Sequence, residues 1–172
     1  AVRRVPRLAH LGWLTVSVLV PFGFLVVAVL FPGVVYATPL NFGFPGDLVL
    51  QLLAVALFGV GGALIVWSDR HLGRYMVVDI AVAQDHELIT TGPYGYVRHP
   101  TYTGVLLVNL AALLFFLHVG LVINFFLVLA IATWRARLEE GLLSSEEGFG
   151  SRYQLYVQGT GRFLPRSFRR FE

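Results

Sequence analysis

Two stretches of the chain, residues 69–101 and 135–172, hold most of the side chains that could do chemistry. The first ends in Tyr94-Gly-Tyr-Val-Arg-His-Pro-Thr-Tyr-Thr-Gly104. Pro100 suits the first turn of a helix, where its missing N–H is not needed, and it pushes His99 towards an extended conformation. A helix N-terminus therefore opens beside Arg98 and His99, and its free N–H groups attract a carboxylate or a phosphate. The plainer alternative is a helix cap with an interfacial belt of Tyr94, Tyr96 and Tyr102. In the second stretch, Arg135 and Glu139 are four residues apart and share one helical face. By themselves they could be an exposed ion pair worth a few tenths of a kcal/mol. There is no cysteine, and the scatter of His10, His71 and His118 matches no metal-ligand spacing. What remains is chemistry by orientation and charge, with no triad, no thiolate and no metal.

The elements that must position these groups are set by composition. Of 172 residues, 56% are hydrophobic and 13% charged, and the mean hydropathy is +0.72. A soluble domain carries about 25% charge, so an ordinary cytosolic enzyme, a disordered chain and a DNA-binding domain are excluded. The net charge of +3 records topology and contact with lipid headgroups, not nucleic acid. The reading is an all-α polytopic membrane protein, one domain over 1–172, with four transmembrane helices at about 11–31, 48–68, 102–117 and 120–136. The break at His118-Val119-Gly120 makes the last two a C-terminal helical hairpin, and helix four is expected to run on through Arg135-Ala-Arg-Leu-Glu-Glu140. Pro21 inside the first span is tolerated if neighbouring helices satisfy the carbonyl it frees. Gly59, Gly61, Gly62 and Ala63 predict close helix packing, through the Gly59–Ala63 spacing, inside the chain or in a dimer. All 13 basic residues are arginines, and none lies in 32–46 or 118–120. The positive-inside rule then puts both termini and the 69–101 segment, with all the polar chemistry, on the cytoplasmic side.

The run Gly92-Pro-Tyr-Gly-Tyr-Val-Arg-His-Pro-Thr-Tyr-Thr-Gly104, followed by Arg135-Ala-Arg-Leu-Glu-Glu140, Phe149-Gly-Ser-Arg-Tyr-Gln-Leu-Tyr156 and Arg162-Phe-Leu-Pro165, resembles the isoprenylcysteine carboxyl methyltransferases and the related phospholipid methyltransferases. The resemblance covers roughly His86 to Pro165. It implies methyl transfer from S-adenosylmethionine at the membrane surface, with S-adenosylhomocysteine as product and a cytoplasmic cofactor-binding region. By position, the family's cofactor contacts fall on His86, Glu87, Leu88, Ile89, Tyr94, His99, Pro100, Thr101, Tyr102 and Glu139, with Asp79 standing where the family has glutamine. Arg135 falls on the family's substrate-holding arginine. Arg135 and Glu139 are thus the implied catalytic pair, with no metal.

On this reading Glu139 pairs with the cofactor's amino group, His99 and the helix end hold its carboxylate, and Tyr94 or Tyr102 packs on adenine. Tyr94 and His99 are expected at the interface, where truncation leaves the fold intact. The implied acceptor is a lipophilic carboxylate of the prenylcysteine or isoprenoid type, entering from the membrane lipid. A lipid amine is the alternative acceptor. An NADPH-dependent sterol-type reductase shares a comparable motif, but its phosphorylated cofactor asks for more basic residues than Arg70, Arg74 and Arg98 provide.

Overall fold

A computed structural model describes residues 12–73, 88–146 and 148–166. Among them the chain is helical, with two isolated bridges, Asn41 with His118 and Val97 with Gly161. Helix α1 spans Gly12–Leu30, and a short α2 follows at Pro32–Tyr36. Helix α3 is Leu48–Leu72, α4 Pro100–Phe116, α5 Val119–Leu143 and α6 Ser151–Gly159. Three of them, α1, α3 and α5, are long and apolar enough to cross a membrane, and α4 is apolar with 17 residues. Helices α3 and α5 outrun the expected spans, by four and seven residues, so both project polar turns beyond the apolar zone.

Pro21 does more than kink α1. Residues Thr15–Leu19 form a π-helical turn directly before it, and the carbonyls of Val16 and Ser17 lose their helical donors. Asn124 of α5 donates to the Val16 carbonyl at 2.9 Å and Asn109 of α4 to Ser17 at 3.2 Å. The two amides also bond to each other, Asn124 Nδ2 to Asn109 Oδ1 at 3.1 Å. In a lipid-immersed bundle an orphan carbonyl costs several kcal/mol, so buried donors on neighbouring helices are what make such a turn tenable.

Helices α3 and α4 pack most closely where Gly61 meets Gly104. A Cβ on Gly61 would stand 2.8 Å from the Gly104 carbonyl, and one on Gly104 would stand 2.7 Å from that of Gly61. The packing glycine is therefore Gly61, on the buried line Ala54–Gly61–Ser68. The expected Gly59–Ala63 spacing is not the internal contact, since a Cβ on Gly59 would meet nothing and Ala63 is exposed.

At one end of the bundle the 37–44 segment folds onto the α4–α5 turn. Asn41 Nδ2 donates to Phe116 O at 2.8 Å, Phe42 N to Leu117 O at 2.8 Å and Val119 N to Leu40 O at 2.9 Å. The other end gathers the start of α4, the end of α5 and the segment after α6.

Candidate active site

Helix α4 starts at Pro100, with His99 non-helical at φ −125° and ψ 65°. The stretch before it is clamped by the chain that follows α6. Arg98 N donates to Gly161 O at 2.8 Å, His99 N to Arg162 O at 3.1 Å and Thr103 Oγ1 to Phe163 O at 2.9 Å. The imidazole of His99 is 7% exposed and sits between two carboxylates. Its Nδ1 lies 3.3 Å from Glu139 Oε2 and its Nε2 3.2 Å from Glu140 Oε1. Burial opposes a charged ring, but both nitrogens face carboxylates, and the balance raises the His99 pKa above its ordinary 6.5. Both ring nitrogens can donate to carboxylates at once only in the imidazolium form.

Adjacent glutamates on α5 differ in what they have left to give. Glu140 accepts from Arg98 Nε at 3.0 Å, from Arg162 Nε at 3.0 Å and Nη2 at 2.6 Å, and from His99. It is the hub that ties α5 to the start of α4 and to the chain after α6; Arg98 also donates to the carbonyls of Val157 and Thr160. Among the described residues Glu139 accepts from Tyr102 Oη and from His99 only. At 24% side-chain exposure against 13% for Glu140, it keeps lone pairs for a further donor.

Arg135 and Glu139 share a face as the spacing requires, yet among the described residues they make no direct ion pair. The Tyr102 hydroxyl lies between them, accepting from Arg135 Nε at 3.2 Å and donating to Glu139. Arg135 is 4% exposed. Its guanidinium carbon stands 5.9 Å from the centroid of the Trp13 ring, and its Nη1 is buried with no hydrogen-bond partner among the described residues. An unsatisfied charged donor in such a place costs about 1–3 kcal/mol or more, and a planar guanidinium with a free N–H is shaped for an oxyanion.

The remaining expected residues fall into three groups. Tyr102 stacks on His99 with ring centroids 5.5 Å apart, and Pro100 and Thr101 form the first turn of α4 beneath them. Tyr94 lies in a 3-10 turn over Gly92–Gly95, its carbonyl accepting from Tyr156 Oη at 2.6 Å. Burial pushes the Tyr94 phenol up to about 12, Thr101 partly offsetting the rise. Leu88 and Ile89 are half-buried in irregular chain. His86, Glu87 and Asp79, like His10, lie outside the described residues. His71 bonds Thr91 Oγ1 at 3.2 Å and packs against Gly92, where φ is +58° and a Cβ would meet its ring at 2.5 Å. No group of three metal-ligating side chains occurs among the described residues.

His99 corrects an expectation. It is a buried, doubly paired group, so its truncation removes packing and ion pairs that an interfacial side chain would not supply. The sequence reading also missed Glu140 as the hub, Arg162 as its bidentate partner and Trp13 as the cover of Arg135. The doublet Glu139-Glu140 beside a cluster of arginines was the available signal. Trp13 had no signal beyond its position near the start of an apolar run.

The sequence profile of the isoprenylcysteine carboxyl methyltransferase family matches residues 52–145, more than half of the chain. The chain belongs to this family. As an isoprenylcysteine carboxyl methyltransferase family member it is a membrane methyltransferase. The match runs from within α3 to the end of α5, taking in the α4 start, Arg135 and both glutamates; the segment carrying Arg162 lies beyond it. No curated protein matches the chain.

The residues present fit the methyl donor the family implies. S-adenosylmethionine presents an ammonium, a carboxylate, an adenine and a sulfonium. Glu139 has lone pairs left for the ammonium. The first-turn N–H groups of Thr101 and Tyr102 have no intrahelical acceptor and could hold the carboxylate. His99 does not serve as that carboxylate's free donor, since both its nitrogens are occupied.

Proposed function

We propose that the chain transfers a methyl group from S-adenosylmethionine to the carboxylate of a lipophilic acceptor of the prenylcysteine or isoprenoid type. The observation that carries this is the buried Arg135, whose Nη1 has no partner among the described residues, one helical turn from a half-open Glu139. The bound cofactor supplies an electrophilic methyl on sulfur. A carboxylate acceptor is already ionised at neutral pH, so the chain needs no general base. Its work is to orient the acceptor oxygen and strip water from it. Arg135 Nη1 donates to the carboxylate while Nε stays on Tyr102, which fixes the plane of the fork. His99 and Arg98 fix the Glu139–Glu140 turn of α5 relative to α4, so that the ammonium and the acceptor are held by one rigid corner.

The arginine distribution supports an arrangement in which both termini and this corner face the cytoplasm and α4 crosses as a fourth span. Seventeen residues give about 26 Å, near the lower end of crossing lengths. A cysteine placed at Thr38 should react with an impermeant reagent from outside; reaction from the cytoplasmic side alone overturns that topology.

The function is tested with methyl-labelled S-adenosylmethionine and a farnesylated cysteine derivative in nanodiscs. The expected product is an ester that releases labelled methanol in alkali. Alkali-stable label in phospholipid would favour amine methylation, and binding of NADPH without S-adenosylhomocysteine would favour the reductase.

A further inference from the structure

We infer that Trp13 is a specificity-determining residue of this site: its indole is the movable apolar wall against which the acceptor's chain lies while its carboxylate meets Arg135. The inference rests on the acceptor reading above. Two aromatic rings flank the Arg135 guanidinium. Tyr102 is locked, its hydroxyl held by Arg135 and Glu139 and its face stacked on His99. Trp13 touches Tyr102 edge-on at 5.2 Å and covers the guanidinium. Among the described residues its indole makes ring and apolar contacts, with Val128 and Ala132 buried behind it, and no hydrogen bond. At 8% exposure for Trp13 and 4% for Arg135, a carboxylate reaches Nη1 only after a side chain yields. Of the two rings, Trp13 is the one held by non-directional contacts, so it yields at the smaller cost.

The backbone under Trp13 has the matching property. Its carbonyl accepts from Ser17 Oγ at 2.6 Å, and the π-helical turn begins two residues later. Such turns interrupt the regular ladder and recur at functional sites. Here the asparagine pair of α4 and α5 anchors the turn at Val16 and Ser17. The anchor fixes where α1 pivots and leaves the indole one turn above it. An aromatic wall of this kind reads the bulk of what lies on it. A long unsaturated chain gains contact with the indole face, and a short one does not.

The test uses the full chain in nanodiscs with N-acetyl-S-farnesylcysteine and its shorter S-geranyl analogue. Trp13→Ala should raise KM for the farnesyl acceptor about tenfold, with kcat little changed, and erase the preference over geranyl, the loss of roughly one aromatic contact. Trp13→Phe should restore most of that preference. A merely structural Trp13 would instead lower kcat and folded yield together and leave the ranking intact, which overturns the inference. The chain has three tryptophans. Trp67 and Trp134 are 46% and 44% exposed, so a W67F/W134F variant reports Trp13 alone. Its emission should shift when the farnesyl acceptor binds, and an unshifted emission overturns the inference whether or not the protein turns over. A shift in a protein that methylates no carboxylate would defeat the proposed function and uphold Trp13 as an acceptor contact.

Discussion

Histidine stands just ahead of both α4 and α5, and the two do different work. At the turn, His118 Nδ1 accepts from Gly120 N at 3.0 Å and the ring meets Phe24 edge-on at 4.9 Å. Around it, backbone and amide hydrogen bonds from the 40–42 segment close the end without charge. At the other end His99 caps nothing with its side chain and spends both nitrogens on glutamates, within a cluster that also holds Arg98, Arg135 and Arg162. The neutral end is satisfied. The charged end has Arg98, His99 and Arg162 facing two carboxylates, Glu139 and Glu140, and among the described residues it retains one buried guanidinium nitrogen, Arg135 Nη1, with no hydrogen-bond partner. Unspent hydrogen-bonding capacity, more than charge itself, separates a site from a joint.

The largest effect should come from breaking the hub. Glu140→Gln leaves Arg98, His99 and Arg162 without their shared anion; losing one partner of a buried charged network costs about 3–5 kcal/mol. Thermal unfolding in detergent should show a large fall in midpoint, with S-adenosylhomocysteine affinity in the surviving folded fraction little changed. Glu139→Gln should reverse the pattern, with a modest fall in midpoint and a loss of about 1.5–3 kcal/mol in affinity for S-adenosylhomocysteine by calorimetry. Equal behaviour of the two variants would erase the distinction between hub and open carboxylate.

Arg135→Lys sharpens the same comparison from the acceptor side. Lysine keeps the charge but loses the planar fork that holds Tyr102 and that the proposed function also assigns to the acceptor. Turnover should drop by about 2 kcal/mol in barrier, roughly thirty-fold, while S-adenosylhomocysteine affinity holds. Full turnover would reduce Arg135 to packing.

Much of the helix order around α4 and α5 was legible because each signal is local. Pro100 starts α4, the His118 region breaks the apolar run, and the 3.6-residue period carries α5 through Glu139 and Glu140. What stayed hidden depends on contacts between distant positions. Arg98 and Arg162 reach Glu140 across 42 and 22 residues, and no periodicity announces such a meeting. Asn109 and Asn124 sit in apolar runs as isolated amides, and their purpose depends on carbonyls of Val16 and Ser17 that Pro21 and the π-helical turn set free. Gly59 and Gly61 are equivalent as letters; only the azimuth of α3 decides that Gly61 faces α4.

His99 also gives the charged end a pH dependence. Its folded pKa lies above the free value of 6.5. The ion pairs therefore contribute in full below the unfolded pKa and are lost as pH rises through the folded one. The thermal midpoint of the wild type should fall on going from about pH 6 to about pH 9, and His99→Gln should remove most of that slope. An unchanged slope in the variant would mean another group titrates with folding.

The smallest effect belongs to the neutral end and separates two contributions of His118. The ring supplies an acceptor for Gly120 N and an aromatic edge for Phe24. His118→Ala removes both, at about 1 kcal/mol for the cap and about 0.5–1.5 kcal/mol for the aromatic contact. His118→Asn keeps an acceptor at the cap position and loses the ring, so its cost should be near the aromatic share alone. Neither substitution touches the charged end, which lies at the opposite end of α4 and α5. Methyl transfer per folded molecule should be that of the wild type in both. A drop in turnover for His118→Asn, measured with the folded fraction normalised, would show that the two ends are coupled along α4 and α5.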